Sequence, residues 1–135
     1  MAKRANTAIK NSTTDNLAAN FNAGKLRIYT GTQPASGDDA ASGTLIVEIT
    51  LPNPAFGAAS NGVASKAGTW QANASGAGTN VAGWARMLNS ALDKNIDYSV
   101  TITGSGGDME LQNTSIANGQ QVTVTTATLT GLSGA

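Results

Sequence analysis

Residues 44–51 read TLIVEITL and carry the clearest secondary-structure pattern in the chain. Every second position from 45 to 51 is a large aliphatic residue. This spacing predicts a β-strand with one buried face, because successive side chains of a strand point to opposite sides. That face would carry Leu45, Val47, Ile49 and Leu51, and the opposite face Ile46, Glu48 and Thr50. Pro52 and Pro54 follow and predict the end of the strand, since proline has no N–H to donate.

Short strands of the same kind recur along the chain. The alternation is found in LRIYTG (26–31), GWARMLN (83–89), YSVTIT (98–103) and VTVTTATLT (122–130), with Gly, Asn and Ser runs between them. Val122 and Val124 have one parity and Leu129 has the other, which predicts a β-bulge or a change of sheet near Thr125. About seven short strands with such turns predict an all-β fold, and we expect a single antiparallel β-sandwich or jelly roll.

The expected core consists of the large apolar residues on the inward faces of these strands, with Phe56 just beyond the proline stop. We expect Trp84 to point inward, because its large area contributes most when it is removed from water. The predicted core residues are Leu26, Ile28, Leu45, Val47, Ile49, Phe56, Trp84, Val100, Ile102, Leu111, Val122 and Val124.

The first 14 residues differ in composition from the rest of the chain. They contain Lys3, Arg4 and Lys10 and no acidic residue, and most of the others are small or polar. This composition predicts a flexible, extended basic arm over residues 1–14, either disordered or ordered on a partner, followed by one β-sandwich domain over 15–135. A short helical turn is expected from Asp15 to Phe21, capped by Thr13 or Thr14.

Composition narrows the possible functions. The chain of 135 residues has the length of one domain, and its charged share of 12% is about half the usual one. Eight basic and eight acidic residues cancel, so we expect no specific nucleic-acid partner. The absence of cysteine excludes disulfides and thiolate chemistry. Because no apolar run reaches the length of a signal segment or a membrane span, we expect no membrane partner and synthesis in the cytoplasm.

Residue types that support catalysis are scarce. The chain has no histidine, which excludes imidazole acid–base catalysis and the Ser-His-Asp triad. Asp38 and Asp39 are the one adjacent pair of carboxylates, and their Gly/Ala/Ser surroundings indicate a solvated turn rather than a glycosidase site. We therefore expect no enzymatic activity, no cofactor and no metal site.

Several segments carry a resemblance in a fixed order. They are LRIYTGTQPASGDDAASGTLIVEITLPNPAFGAASNGVA (26–64), GWARMLN (83–89) and GGDMELQNTSIANGQQVTVTTATLT (106–130). A strand ending in IYTG, a QPA loop, a TLL-type strand, an NPAF turn, a Trp-containing strand and a late L-N-T-S-I-x-x-G-Q/T-V corner recur in this order in a family of small virion structural proteins of tailed bacteriophages. The chain resembles that family over about residues 24 to 131, and departs from its pattern between Ala64 and Val81 and in its basic arm.

The resemblance implies a fold and a role. Members of that family are β-sandwich proteins built into the particle, some of them as cement or decoration proteins on the capsid. By this resemblance, we expect the chain to be made in the cytoplasm of the bacterial host and to lie on the capsid surface of the virion. Its partners would be the major capsid protein and itself, as a homotrimer if it occupies a threefold position. Lys3, Arg4 and Lys10 would then contact acidic patches of the capsid protein.

Two other interpretations stay open at this point. The same fold could serve as a tail, neck or fibre component of the particle. In a different class of function, a carbohydrate-binding module would stack sugars on exposed rings of Tyr29, Trp70, Trp84 and Tyr98. With six aromatic residues in the whole chain, we expect the core to take most of these rings.

Overall fold

The computed structural model describes residues 4–131, which form one helix and nine strands. The elements are α1 (Thr7–Ala19), β1 (Lys25–Thr30), β2 (Leu45–Thr50), β3 (Val63–Ser65), β4 (Gln71–Asn73), β5 (Thr79–Leu88), β6 (Asn95–Ile102), β7 (Met109–Leu111), β8 (Ser115–Ala117) and β9 (Gln121–Thr130). The prediction of an all-β chain is therefore confirmed.

The strands form one curled sheet in the order β2-β1-β5-β6-β7-β9-β3, with β4 beside β9 and β8 beside β5. The curl brings the two ends of this sheet together. Just after β4, the N–H groups of Ser75 and Gly76 donate to the Ile46 carbonyl oxygen of β2 at 2.9 and 3.0 Å. These bonds satisfy a strand edge that would otherwise face solvent.

The core lies inside the curl and is built from most of the expected residues. Phe56 and Trp70 meet there edge to face, with ring centroids 5.2 Å apart. The expected residues that lie in this buried cluster are Leu26, Ile28, Val47, Ile49, Phe56, Val100, Leu111, Val122 and Val124.

Leu45 lies outside the core, contrary to the expectation for the TLIVEITL strand. The register of β1 with β2 shifts between Ile28, which faces Val47, and Tyr29, which faces Leu45. Ile46 is the extra residue of this bulge and is fully buried, while Leu45 is 38% exposed. A bulge adds one residue to the strand, so it reverses which face the residues on one side of it occupy.

A second bulge follows on the other side of β1. The register of β1 with β5 shifts between Tyr29, which faces Trp84, and Thr30, which faces Ala82, so Gly83 is the extra residue. A Cβ at Gly83 would lie 1.9 Å from the Gly31 carbonyl oxygen. A side chain at this position would therefore prevent the bulge.

Trp84 is fully buried, but on the face of the sheet opposite to the core. It stacks on Tyr29 with ring centroids 4.7 Å apart, and neither ring belongs to the central cluster. The loop over residues 31–43 is fastened to this face by two bonds. Arg86 Nη2 donates to the Asp39 carbonyl oxygen at 2.9 Å, and Asn95 Nδ2 donates to that of Gly37 at 3.1 Å. We attribute the burial of Trp84 to this loop, so the expectation that Trp84 points into the central core is wrong.

Ile102 is 46% exposed, although we expected it in the core. The pairing of β5 with β6 ends at Ser99, so no β5 residue pairs with Ile102 at the end of β6. There β6 pairs with β7 in parallel, which departs from the expected wholly antiparallel sheet. The loop 103–108 returns across the face of β6, where Gly107 N–H donates to Thr101 Oγ1 at 2.9 Å. Because Gly107 has no side chain, a connection shorter than the usual dozen residues can join parallel strands here.

The predicted bulge in the last strand is confirmed. The register of β7 with β9 shifts so that Glu110 faces Thr126 and Leu111 faces Val124, which leaves Thr125 as the extra residue. The shift keeps Val124 and Ala127 both buried. Strand β9 thus pairs with β4, β7 and β3 at successive positions along its length.

The bulge in β2 yields a direct test with matched leucines. We expect Leu26→Ala to lower the free energy of unfolding by about 2 to 5 kcal/mol, because it empties a fully buried position. Leu45→Ala should cost less than about 1 kcal/mol, because its side chain already faces water. Urea denaturation of both variants measures the difference, and equal losses would contradict the register given above.

Candidate interaction surface

Helix α1 is joined to the β domain by a buried hydroxyl. Thr14 is fully buried, and its hydroxyl donates to the Gly62 carbonyl oxygen at 2.6 Å and accepts from Gly131 N–H at 3.0 Å. Gly62 precedes β3 and Gly131 follows β9, so one side chain connects the first helix to a turn and to the end of the last strand. The helix is thereby fixed in place.

Two more side chains of the same helical face complete the attachment. Asn11 Oδ1 accepts from Gly62 N–H at 2.8 Å, and Asp15 Oδ1 accepts from Ala59 N–H at 2.8 Å. Asn11, Thr14 and Asp15 follow the i, i+3, i+4 spacing that places residues on one side of a helix. Gly62 has a φ of +78°, which a residue with a side chain rarely adopts, and its Cα side packs against the stem of Lys10.

The helix begins well before the position that we expected. Asn6 is its N-cap, with Oδ1 accepting from Ile9 N–H at 2.9 Å, and Thr7–Ala19 are helical. Residues 7–14 therefore do not form an extended arm, and Thr14 is an interior position of the helix rather than its cap. Asparagine is among the best N-cap residues, and the attachment through Thr14 stabilises a sequence with a weak apolar pattern.

The free end of the helix forms the candidate contact surface. Arg4 is exposed, Ile9 is 54% exposed and Lys10 is half-buried. We call these three residues the basic helix end. Lys3, the remaining residue of the predicted contact set, lies outside the described residues. Sequence reasoning found the two cations but missed Ile9, because its exposure follows from the helix and not from an arm.

The outer face of the sheet carries a row of charges that compensate one another. Glu48, Arg27, Arg86 and Asp97 lie side by side across β2, β1, β5 and β6. Arg27 pairs with Glu48 at 2.7 Å, and Arg86 pairs with both oxygens of Asp97 at 2.7 and 3.0 Å. The hydrogen bonds and charge of Asp97 raise the pKa of Arg86. This face is therefore ordered and close to neutral.

The aromatic rings are all inside the molecule. Trp70 and Trp84 are fully buried, and Tyr29 and Tyr98 are 9% and 4% exposed. Phe21 and Phe56 are buried as well. A sugar-stacking platform needs exposed ring faces, so these positions do not supply one in this conformation.

The adjacent carboxylates Asp38 and Asp39 lie in an ordinary turn. They belong to the exposed loop 31–43, and Asp39 Oδ2 accepts from the Ser36 N–H at 3.2 Å. In the portion spanning residues 4–131, no group of three or more histidine, cysteine, aspartate or glutamate side chains is placed to hold a metal ion. No helix of that portion is long and apolar enough to cross a membrane.

Tyr98 is the buried ionisable group whose charge state responds to the fold. Its hydroxyl donates to the Thr128 carbonyl oxygen at 3.2 Å. Burial raises the pKa of Tyr98 well above its usual value, and the negative charge of Asp108 raises it further. The phenol therefore stays protonated in the folded chain at a pH where the unfolded chain loses that proton.

Comparison of the chain with models of protein families, with curated proteins and with solved structures finds no match in any of the three.

The shifted pKa of Tyr98 predicts how stability depends on pH. The stabilisation that comes from keeping the Tyr98 phenol protonated is fully present below about pH 10, where tyrosine titrates in an unfolded chain. It is lost as the pH rises above that value. Between about pH 9 and pH 11 we expect the free energy of unfolding to fall by about 1.4 kcal/mol in total more in the native protein than in Tyr98→Phe, because the unfolded tyrosine ionises across this range. Denaturant unfolding between pH 9 and pH 11, set as approximate limits around the tyrosine pKa, measures both slopes. Identical slopes would contradict the protonated, buried phenol.

Proposed function

We propose that this chain is a structural protein of a tailed-bacteriophage virion, a cement protein of β-sandwich type that binds across subunits of the major capsid protein. The observation that carries the proposal is the basic helix end. Ile9 is an aliphatic side chain that the fold leaves 54% exposed, and it is next in sequence to Lys10 on a helix fixed by buried hydrogen bonds. An exposed apolar residue on a rigid support, next to a cation, suits a protein contact.

The rest of the exterior supports a protein that works in contact with others. Only 12% of the residues are charged, and on the outer face Arg27 and Arg86 are neutralised by ion pairs with Glu48 and Asp97. Hydroxyl and amide groups exchange water for new partners at a smaller cost than free charges do. A broad contact with a capsid would therefore require little desolvation of ions.

The curled sheet suits a clamp that resists force. Its ends are joined by the bonds from Ser75 and Gly76 to Ile46, so sliding one strand past another would break ladder bonds on both sides. A cement protein has to hold capsid joints against the pressure of the packed genome. Many simultaneous contacts of a stiff body provide that resistance.

The position in the particle follows from a count of copies. We expect quantitative mass spectrometry of purified virions to find the chain in hundreds of copies, as for a protein spread over the capsid lattice. A handful of copies would instead indicate a tail, neck or fibre component. A particle without the chain would overturn the proposal as a whole.

The basic helix end can be tested on empty capsid shells. We expect Lys10→Glu to weaken binding at least about fivefold at low salt, because it replaces an attraction by a repulsion. Ile9→Asp should weaken binding about tenfold or more, because it puts a charge into the contact. Cosedimentation of each purified variant with shells over a range of salt measures the affinity.

The control is Lys94→Glu, which makes the same change of charge at an exposed turn far along the chain. It should bind like the native protein. If the Ile9 and Lys10 variants bind as tightly as the native protein, the helix end is not the contact. If Lys94→Glu weakens binding as much as Lys10→Glu does, the effect comes from net charge and not from the helix end.

A further inference from the structure

The sheet has a gap between β6 and β9 that continues the line of β7. The three residues of β7 pair with 100–102 of β6 and with 124–127 of β9. Both neighbouring strands run on past the beginning of β7. Among the strands that the structure describes, residues 95–99 of β6 pair with β5 alone, and residues 128–130 of β9 pair with β3 alone. The two facing edges are therefore without a strand between them.

Where β7 lies, the space between β6 and β9 has the width of one strand. Adjacent strands lie about 4.8 Å apart, so β6 and β9 are held about 9.6 Å apart where β7 lies between them. Beyond β7 they enclose a groove of about 280 Å³, lined by Ile96, Asp97, Tyr98, Asp108, Thr128, Leu129 and Thr130. The Tyr98 side chain crosses the gap from the core side to reach Thr128.

Backbone groups point into this gap from both sides. Ser99 N–H points there, because it donates to Asp108 Oδ2 at 3.3 Å, while Asp108 N–H donates to Ser99 Oγ at 3.1 Å. Because backbone groups alternate in direction along a strand, those of Asp97 point the same way as those of Ser99. On the other side, the Thr128 carbonyl points to the gap, and so do the groups of Thr130. Edges of this kind bind extended peptides by strand addition.

The charge at the gap is acidic. Asp97 is compensated by Arg86, but Asp108 forms no ion pair with any residue in the range 4–131. The opposite charge lies at the beginning of the chain, where Lys3 and Arg4 precede every acidic residue. Residues 1–5, before the N-cap, would extend about 16 Å, enough for the three or four strand positions of the gap.

From these observations we infer that the gap receives, as an added strand, residues 1–5 of a second copy of this chain, with Lys3 or Arg4 paired to Asp108. The donor is a second copy because the first turn of α1 lies on the side of β9 that faces away from the gap. Thr14 contacts Gly131 at the end of β9, while Lys10 and Asn11 contact Gly62 on the β3 side of β9. The gap lies on the other side of β9.

This contact joins different surfaces of two copies, so it is heterologous and closes into a ring when the rotation between copies allows it. A ring of three would match the homotrimer implied by the resemblance. Lys3 and Arg4 then serve the contact between copies, and Ile9 and Lys10 remain available to a capsid. The inference does not depend on the proposed capsid contact.

A charge exchange tests the contact in the full chain. We expect sedimentation equilibrium at low salt to show self-association that weakens as salt is added. Asp108→Lys should weaken it at least about tenfold, and so should the double variant Lys3→Glu/Arg4→Glu. Combining the three changes should restore association to within about threefold of the native protein, because the attraction is re-formed with reversed signs.

Asp38→Lys is the matched control, since it makes the same change of charge on the exposed loop and should leave association unchanged. Asp108→Asn keeps an acceptor for Ser99 N–H and should weaken association less than Asp108→Lys does. It provides a second test in case the lysine variant does not fold. Hydrogen exchange should show the amides of Asp97 and Thr130 protected in the assembly.

Three results would overturn the inference. The first is a native chain that stays monomeric at all concentrations. This holds also if the amides of Asp97 and Thr130 are protected in that monomer, because its own N-terminus would then fill the gap. The second is a combined variant that fails to recover association. The third is an Asp38→Lys variant that weakens association as much as Asp108→Lys does.

Discussion

The hydroxyl of Thr14 is the interaction on which the arrangement of surfaces depends. It joins α1 to Gly62 and Gly131, so residues 117 positions apart in sequence meet at one buried oxygen. A buried hydroxyl without partners would be costly, and here both of its bonding roles are used. Since Asn11 and Asp15 add bonds on the same face, a helix with few apolar residues is held by polar side chains.

This kind of attachment determines which side chains of α1 stay exposed for contact with other proteins. At its C-terminal end α1 packs Ala18 and Leu17 against the core, whereas near its N-terminal end polar bonds hold the helix and Ile9 stays outside. The same attachment places Lys10 and Asn11 against Gly62, on the β3 side of β9 and away from the acidic gap beside β6. A basic segment and an acidic gap at separate places on one chain favour contacts between copies over contacts within a copy.

Alternation of apolar residues predicted the class of the fold and most of the core, and the change of parity at Leu129 predicted the bulge at Thr125. It failed for Leu45, because the bulge at Ile46 arises from pairing with Tyr29, a partner that local sequence does not identify. Trp84 is buried as expected, but under a loop of small residues on the outer face. Nothing in the composition of residues 31–43 indicates that the loop folds back onto the sheet.

The helix and the candidate surface were the hardest features to predict. Residues 7–14 are polar and basic, which is typical of a disordered arm, and the partners that order them lie near residues 60 and 131. The cations of the surface can be read from the sequence, whereas the exposure of Ile9 follows only from the way in which α1 is attached. The gap beside β6 depends on the parallel pairing of β7, which followed from no sequence pattern.

Native-state hydrogen exchange on a pair of threonine variants measures the role of Thr14 most directly. Thr14→Val keeps the shape of the side chain but leaves two buried backbone groups without their partner. Thr13→Val makes the same change at an exposed position of the same helix. The account predicts that α1 loses protection in Thr14→Val while β1 and β5 retain theirs, and that Thr13→Val behaves like the native protein. Full protection of α1 in Thr14→Val would contradict it.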